Sequence, residues 1–189
     1  MRELTYLVAA TLDGYIAAPD GSFGFFPFEG EIRSAILAEY PETMPVHARG
    51  PLGLDGVPNR CFDTVLMGRA TYEPALSVGV TSPYAHLRQY VFSRTLSQAD
   101  PAVPVVAEDP VPFVQRLKKE DGAGIWLCGG GKLAAALLPE IDRLVVKRHP
   151  LVIGSGVPLF DGPFGPVRFA PEGTRAFAGG ETIEAYRRV

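Results

Sequence analysis

Three short segments carry the residue types that grip phosphate. Ile125-Trp126-Leu127-Cys128-Gly129-Gly130-Gly131-Lys132-Leu133 sets three successive glycines between an apolar run and a helix-forming run. Without Cβ atoms the backbone amides can approach a ligand, and the helix that follows adds partial positive charge, so pyrophosphate is the natural occupant. Lys132 is followed by Leu133, not by Ser or Thr, and the glycine spacing fits neither a Walker loop nor G-x-G-x-x-G. Gly68-Arg69-Ala70-Thr71 ends a second apolar run with a permissive backbone, a guanidinium and a hydroxyl. Ser93-Arg94-Thr95 ends a third with two hydroxyls flanking an arginine. Such groups at three strand ends suit a dinucleotide. The amides of Gly129, Gly130 and Gly131, with Lys132 and Leu133 behind them, would take the pyrophosphate; Gly68, Arg69 and Thr71 would lie beside it; Ser93, Arg94 and Thr95 would meet a phosphate on the adenosine ribose.

The elements that must position these groups follow from the apolar patterning. Leu4 to Thr11 is uncharged and rich in β-formers and ends at Asp13-Gly14, which predicts a buried strand and a turn. Residues 19–60 are broken repeatedly by Pro and Gly, with room for one short helix around Glu31 to Tyr40; such an excursion serves as a lid or binding loop or is disordered. Further strands are expected at Thr64 to Met67, Tyr90 to Ser93, Val103 to Val106 and Gly124 to Cys128, with helices from Pro110 to Glu120 and Lys132 to Leu138. Arg143 to Arg148, Leu151 to Val157, Val167 to Ala170 and Thr182 to Arg188 read as late strands. Strand–helix alternation predicts an α/β fold with a mostly parallel central sheet, helices on both faces and an antiparallel C-terminal edge, in one domain over residues 1–189. Ligands of such sheets sit at the carboxyl ends of the strands.

Composition narrows the function classes. With 18 Lys plus Arg against 21 Asp plus Glu the net charge of the 189 residues is −3, which argues against nucleic acid as the main partner. No apolar run approaches the roughly 20 residues of a membrane span, and Glu3 interrupts the start where a signal peptide would carry only bases, so a cytoplasmic protein is expected. Cys61 and Cys128 read as two buried free thiols, and His47, His86 and His149 lack companions at zinc spacing, so no metal site is expected.

Five segments in order resemble the dihydrofolate-reductase-like superfamily, and within it the stand-alone relatives of the riboflavin-biosynthesis reductase domain. They are Leu-Asp-Gly-Tyr-Ile-Ala at 12–17, Val-Leu-Met-Gly-Arg-Ala-Thr-Tyr at 65–72, Val-Phe-Ser-Arg-Thr-Leu at 91–96, the glycine segment at 125–133, and Pro-Leu-Val-Ile-Gly-Ser-Gly-Val-Pro-Leu-Phe at 150–160. The resemblance implies a three-layer fold, NADPH as hydride donor, a small heterocyclic C=N or C=O substrate, and a homodimer. It places Met67 to Thr71 on the cofactor phosphates, Ser93 and Arg94 on the 2′-phosphate, the glycines under the pyrophosphate, and Ala10 and Ile16 beside the nicotinamide. It also leaves gaps: Glu29 and Glu31 do not clearly match the carboxylate with which dihydrofolate reductases engage a pterin, and the zinc pattern of the fused deaminase is absent.

Hydride transfer needs an acceptor held in place and a proton source. Asp13, just past the first strand, is either that source or a turn residue, with the Tyr15 hydroxyl nearby. Phe23, Phe25, Phe26 and Phe28 either stack on a planar heterocycle or fill a core beneath their loop. Gly154-Ser155-Gly156 either shapes a pocket wall or bends the chain before a strand. A non-catalytic nucleotide-binding or scaffold protein is the alternative to a reductase, and a metal-dependent phosphate-ester enzyme or nucleotide switch a weaker third reading.

Overall fold

In the computed structural model, which describes residues 1–189, the elements along the chain are β1 (Leu4–Ala10), β2 (Tyr15–Ala17), α1 (Gly30–Glu39), α2 (Val46–Arg49), β3 (Phe62–Gly68), α3 (Arg69–Ser77), β4 (Arg88–Phe92), β5 (Val105–Val106), α4 (Pro110–Leu117), β6 (Gly124–Gly129), α5 (Gly131–Ala136), β7 (Arg143–Arg148), β8 (Val157–Pro158), β9 (Phe169–Ala176) and β10 (Thr182–Arg188), with a 3₁₀ turn at Pro41–Thr43. Eight strands form one sheet in the order β5-β4-β3-β6-β1-β7-β10-β9. Pairing is parallel from β5 to β7, and β10 and β9 close the far edge antiparallel, as the alternation of elements predicts.

Period-two alternation divides the core into two layers. Leu7 of β1, Val65 and Met67 of β3, Trp126 of β6 and Val145 of β7 face one side, with Ile32 and Ile36 of α1 and Tyr72 of α3. Leu4, Tyr6 and Val8 of β1, Leu66 of β3, and Ile125 and Leu127 of β6 face the other. There they meet Val114 and Leu117 of α4 and Leu133 and Ala134 of α5. Each fully buried aliphatic side chain contributes about 1.5–3 kcal/mol, which favours uncharged strands at the centre of the sheet. Helix α4 starts at Pro110 because Asp109 accepts from the Val111 amide at 2.9 Å and Pro110 needs no donor partner.

Several local expectations change. Helix α4 ends at Leu117, not Glu120; the next residue, Lys118, turns its buried ammonium to Asp142 at 2.7 Å. Strand β8 is only Val157–Pro158, and its partner β2 lies in the first motif, in an antiparallel two-stranded sheet. Strand β9 runs to Ala176 through exposed Pro171, Glu172 and Arg175, because its pairing to β10 and not apolar burial defines it. Both cysteines are free, but Cys61 is exposed where burial is expected.

The Pro/Gly-rich stretch is ordered by two buried charged side chains bonded to backbone. Glu42, wholly buried, accepts from the amides of Cys61 at 2.7 Å and Phe62 at 2.8 Å and, more distantly, Arg60 at 3.3 Å. Arg49 donates to the carbonyls of Pro41, Leu54 and Val57 at 2.8–3.0 Å. Together they pin residues 41–60 to the start of β3.

Candidate active site

Strand register opens the site. β1 stays paired with β7 to Ala10–Arg148, but its pairing with β6 ends at Tyr6–Leu127. Beyond that fork the Trp126 indole donates to the Leu7 carbonyl at 3.1 Å, and a cavity of about 470 Å³ opens beside the strand ends. This is where parallel α/β sheets bind ligands, and the volume suits a small molecule. Val8 and Ala9 of β1, Thr71 of α3, Cys128, Gly129 and Gly130 around the end of β6, and Lys147 and His149 at the end of β7 contribute to its walls. Phe23, Phe26 and Phe28 complete them from the loop after β2, as do Thr43 and Met44 from the pinned segment. The phenylalanines therefore face the cavity; Phe25 packs on Phe26 at 4.5 Å between ring centroids.

Because β4, β3 and β6 are neighbours, the three anion-gripping segments adjoin. Within the glycine segment the residues divide by role. Gly129 and Gly130, joined by a cis peptide, line the cavity; a Cβ built on either would stand 3.7 Å from Thr71 Oγ1, and one on Gly130 also 3.9 Å from Ile16 Cδ1. Gly131 is sealed instead: a Cβ there would fall 2.2 Å from the Pro158 carbonyl oxygen, and its own carbonyl accepts from Asp161 N at 3.0 Å. Gly68 lets the end of β3 pass the glycine turn, since a Cβ would stand 3.4 Å from Gly129 O and Gly130 N. Lys132 points to solvent and Leu133 into the core, so neither faces the cavity.

Other expected phosphate ligands are partly engaged. Arg69 donates to Glu73 at 2.6 Å and to Thr95 Oγ1 at 3.0 Å, which ties the ends of β3 and β4 together. Ser93 Oγ accepts from the amides of Thr95 at 3.2 Å and Leu96 at 3.0 Å, leaving only its proton to offer a ligand. Arg94 is exposed and makes neither a hydrogen bond nor an ion pair, so it is the free cation at this end. Ile16 lines the cavity; Ala10 is fully buried, and its carbonyl accepts from His149 N at 2.9 Å.

Asp13 does not face the cavity. Its carboxylate accepts from Thr11 Oγ1 at 2.5 Å and from the amides of Ile153 at 3.1 Å and Gly154 at 2.7 Å. The Thr11 hydroxyl, with these amides, holds its carboxyl below the usual carboxylate range, which makes it a poor proton donor. Tyr15 points the same way, its hydroxyl 3.5 Å from Gly154 O. The first and last motifs are thus one clasp: Asp13 grips the 153–154 amides, β2 pairs with β8, and Gly156 brings its backbone so close that a Cβ would fall 2.2 Å from Ala17 O. Glu31 accepts from Ala178 N at 3.1 Å and Glu29 precedes α1; neither lines the cavity.

The sequence reading passed over the polar groups that do line it. Lys147 and His149 alternate with Arg148 on β7 and its end, on the face that Val145 buries, a signal that period two supplies. Burial pushes the Lys147 ammonium below the usual lysine range, and burial with nearby Lys147 pushes His149 down, so its imidazole is neutral. Burial raises the Cys128 thiol to about 11, which leaves it unreactive at neutral pH. No Asp or Glu lines the cavity.

This geometry coincides with a known family. Residues 59–181 match the RibD C-terminal domain, and the chain belongs to that family. Its relatives include the uncharacterized protein YwjB of Bacillus subtilis (strain 168), 31% identical over 98% of this chain and 97% of that protein, and the uncharacterized protein YyaP of the same organism, 25% identical over 95% and 91%. Among solved structures, a putative riboflavin biosynthesis protein from Shewanella sp. PV-4 shares the fold with a TM-score of 0.68 at 24% identity, over 100% of this chain and 99% of that one. A Thermotoga maritima diaminohydroxyphosphoribosylaminopyrimidine deaminase/5-amino-6-(5-phosphoribosylamino)uracil reductase aligns at 0.67 and 17% identity, over 100% of this chain and 57% of that one. The fold is thus that of the riboflavin-biosynthesis reductases.

Proposed function

We propose that this chain, acting as one unit over residues 1–189, is an NADPH-dependent reductase that acts on a small heterocyclic C=N or C=O compound. The observation that carries the reading is the junction of three anion-gripping strand ends with an apolar cavity, through a wall made of Thr71, Gly129 and Gly130. The residues fit the cofactor. The Gly130 amide and the Thr71 hydroxyl would hold the pyrophosphate, Arg94 with the Ser93 proton the 2′-phosphate, and Ile16 and the end of β1 the nicotinamide ring. NADPH, when bound, supplies the hydride. The chain supplies position and exclusion of water: the phenylalanines cover the cavity and the clasp fixes its rim. With Asp13 engaged elsewhere, the proton would come from a group that lines the cavity, such as Lys147, or from water.

The homodimer stays part of this proposal, on the family resemblance alone. The β9 edge carries Pro171, Glu172 and Arg175 and a register shift against β10, all of which oppose strand addition, so two copies would meet through another face.

The test is direct. Trp126 is the sole tryptophan and lines the cavity, so NADPH should quench its emission, and more strongly than NADH at equal concentration. NADPH consumption across a panel of pyrimidine, pterin and other ring carbonyls or imines then separates a reductase from a binding protein that keeps the fold. A chain that binds neither nucleotide has another function.

A further inference from the structure

The cavity carries one formal positive charge, at Lys147, and no carboxylate to answer it. Lys147 makes no hydrogen bond or ion pair within the chain. Two residues on, His149 is 3% exposed, its Nδ1 has no partner, and its ring packs on Phe26 with centroids 4.9 Å apart. Lys147 and His149 thus lie two residues apart in a wall built mostly of Phe23, Phe26, Phe28, Tyr84, Trp126 and aliphatic side chains, with the Thr43 and Thr71 hydroxyls its other polar side chains besides the Cys128 thiol. A buried polar atom without a partner is costly, and a half-buried ammonium that faces a largely apolar cavity with no counter-charge gains from an anion brought to it.

We infer that Lys147 and His149 form an anion subsite for the acceptor, and that the acceptor is a planar aromatic or heteroaromatic compound bearing a single anionic oxygen group. This rests on the reductase reading for the word acceptor, though the subsite itself does not depend on it. Charge sets the number of negative groups. One ammonium balances one carboxylate or ring oxyanion, whereas a phosphate monoester would bring a second charge and more acceptor oxygens into apolar walls without another cation to meet them. The depressed basicity of Lys147 agrees, because an incoming anion restores the charged form that burial disfavours. Shape sets the rest: phenylalanine faces and a cavity of about 470 Å³ accept a flat ring.

Isothermal titration of the intact protein with 2-naphthoate, its neutral isostere 2-naphthamide and 1-naphthyl phosphate tests the subsite without turnover. The wild-type chain should bind the carboxylate about tenfold or more tighter than the amide, the worth of one charge-assisted contact, and tighter than the phosphate. Lys147→Met should erase the carboxylate's advantage while the amide binds as before, and NADPH, titrated separately, should keep its wild-type affinity. Equal wild-type binding of carboxylate and amide overturns the proposal whether or not the variant folds. So does a carboxylate preference that survives in folded Lys147→Met, and so does tighter binding of the phosphate. A wild-type protein that prefers the carboxylate yet ignores NADPH keeps the subsite and loses the reductase reading.

Discussion

Two neighbouring glycines should respond to the same methyl group in opposite ways. A Cβ at Gly131 would fall 2.2 Å from Pro158 O, where real contacts essentially never come under 3.0 Å, so the 158–161 backbone must retreat by nearly an ångström. Forced repacking of that kind costs about 1–3 kcal/mol. In a chain of this length that lowers Tm by about 2–12 °C. A Cβ at Gly130 meets only ordinary contacts, 3.7 Å from Thr71 Oγ1 and 3.9 Å from Ile16 Cδ1, at a φ of −94° open to alanine. Gly130→Ala should therefore hold its Tm but occupy the ground on which a phosphate would rest. Loss of one charge-assisted contact costs about 1.5–3 kcal/mol, or roughly 10- to 100-fold in NADPH affinity. Thermal unfolding without ligand and Trp126 quenching by NADPH read the two effects separately. Folded Gly130→Ala with parental NADPH affinity refutes the pyrophosphate assignment, and an unchanged Tm in Gly131→Ala refutes the division of roles.

Arg94→Ala should weaken NADPH by roughly 10- to 100-fold and leave NADH nearly unaffected; equal losses for both, in parallel titrations, remove Arg94 from the 2′-phosphate. The His149 imidazole titrates below its ordinary 6.5 in the folded chain, so the unfolded state takes up its proton first and stability falls as pH drops through that value. Urea unfolding at pH 7.5 and pH 5.5 should show a smaller loss in His149→Gln than in wild type, and an identical loss dismisses the buried neutral imidazole. Glu42→Ala strands the amides of Cys61 and Phe62, at about 1–3 kcal/mol each, and should cost about 2–6 kcal/mol by the same measurement, with Glu42→Gln milder; a cost within error of zero would show that water replaces the carboxylate. Light scattering at micromolar concentration should give twice the 20.3 kDa of the chain if the homodimer forms, and a value near the chain mass rejects it.

The strand and helix signals were legible because the central elements are mostly apolar and buried on both faces: β1 and β6 carry no charge and β3 only Asp63 near its start, and the motifs at their ends adjoin because those strands do. What escaped notice depends on pairing or on competition for hydrogen bonds. The three residues of β2 have no periodicity to read, and their partner lies far along the chain at β8. Asp13 and Ser93 have the right chemistry for a ligand, yet backbone amides occupy them, distant ones at Ile153 and Gly154 for Asp13 and local ones at Thr95 and Leu96 for Ser93, and sequence spacing says nothing about which partner wins. Arg69 likewise finds Glu73 one helical turn on. Lys147 escaped for a different reason: a lysine on a mixed strand reads as a solvated side chain, and only the burial of Val145 on the same face shows that it points inward.

The clasp between the first and last motifs closes late in synthesis. Asp13 leaves the ribosome early, but the amides it grips, Ile153 and Gly154, lie 140 and 141 residues further on. Until they arrive the carboxylate stays hydrated, β2 has no partner, and the glycine turn lacks the Pro158 backbone that seals its third residue. A nascent chain can thus hold most of the parallel sheet without a finished pocket. A premature stop between Lys147 and Phe160 would leave β1, β3 and β6 intact in sequence and the pocket without a rim.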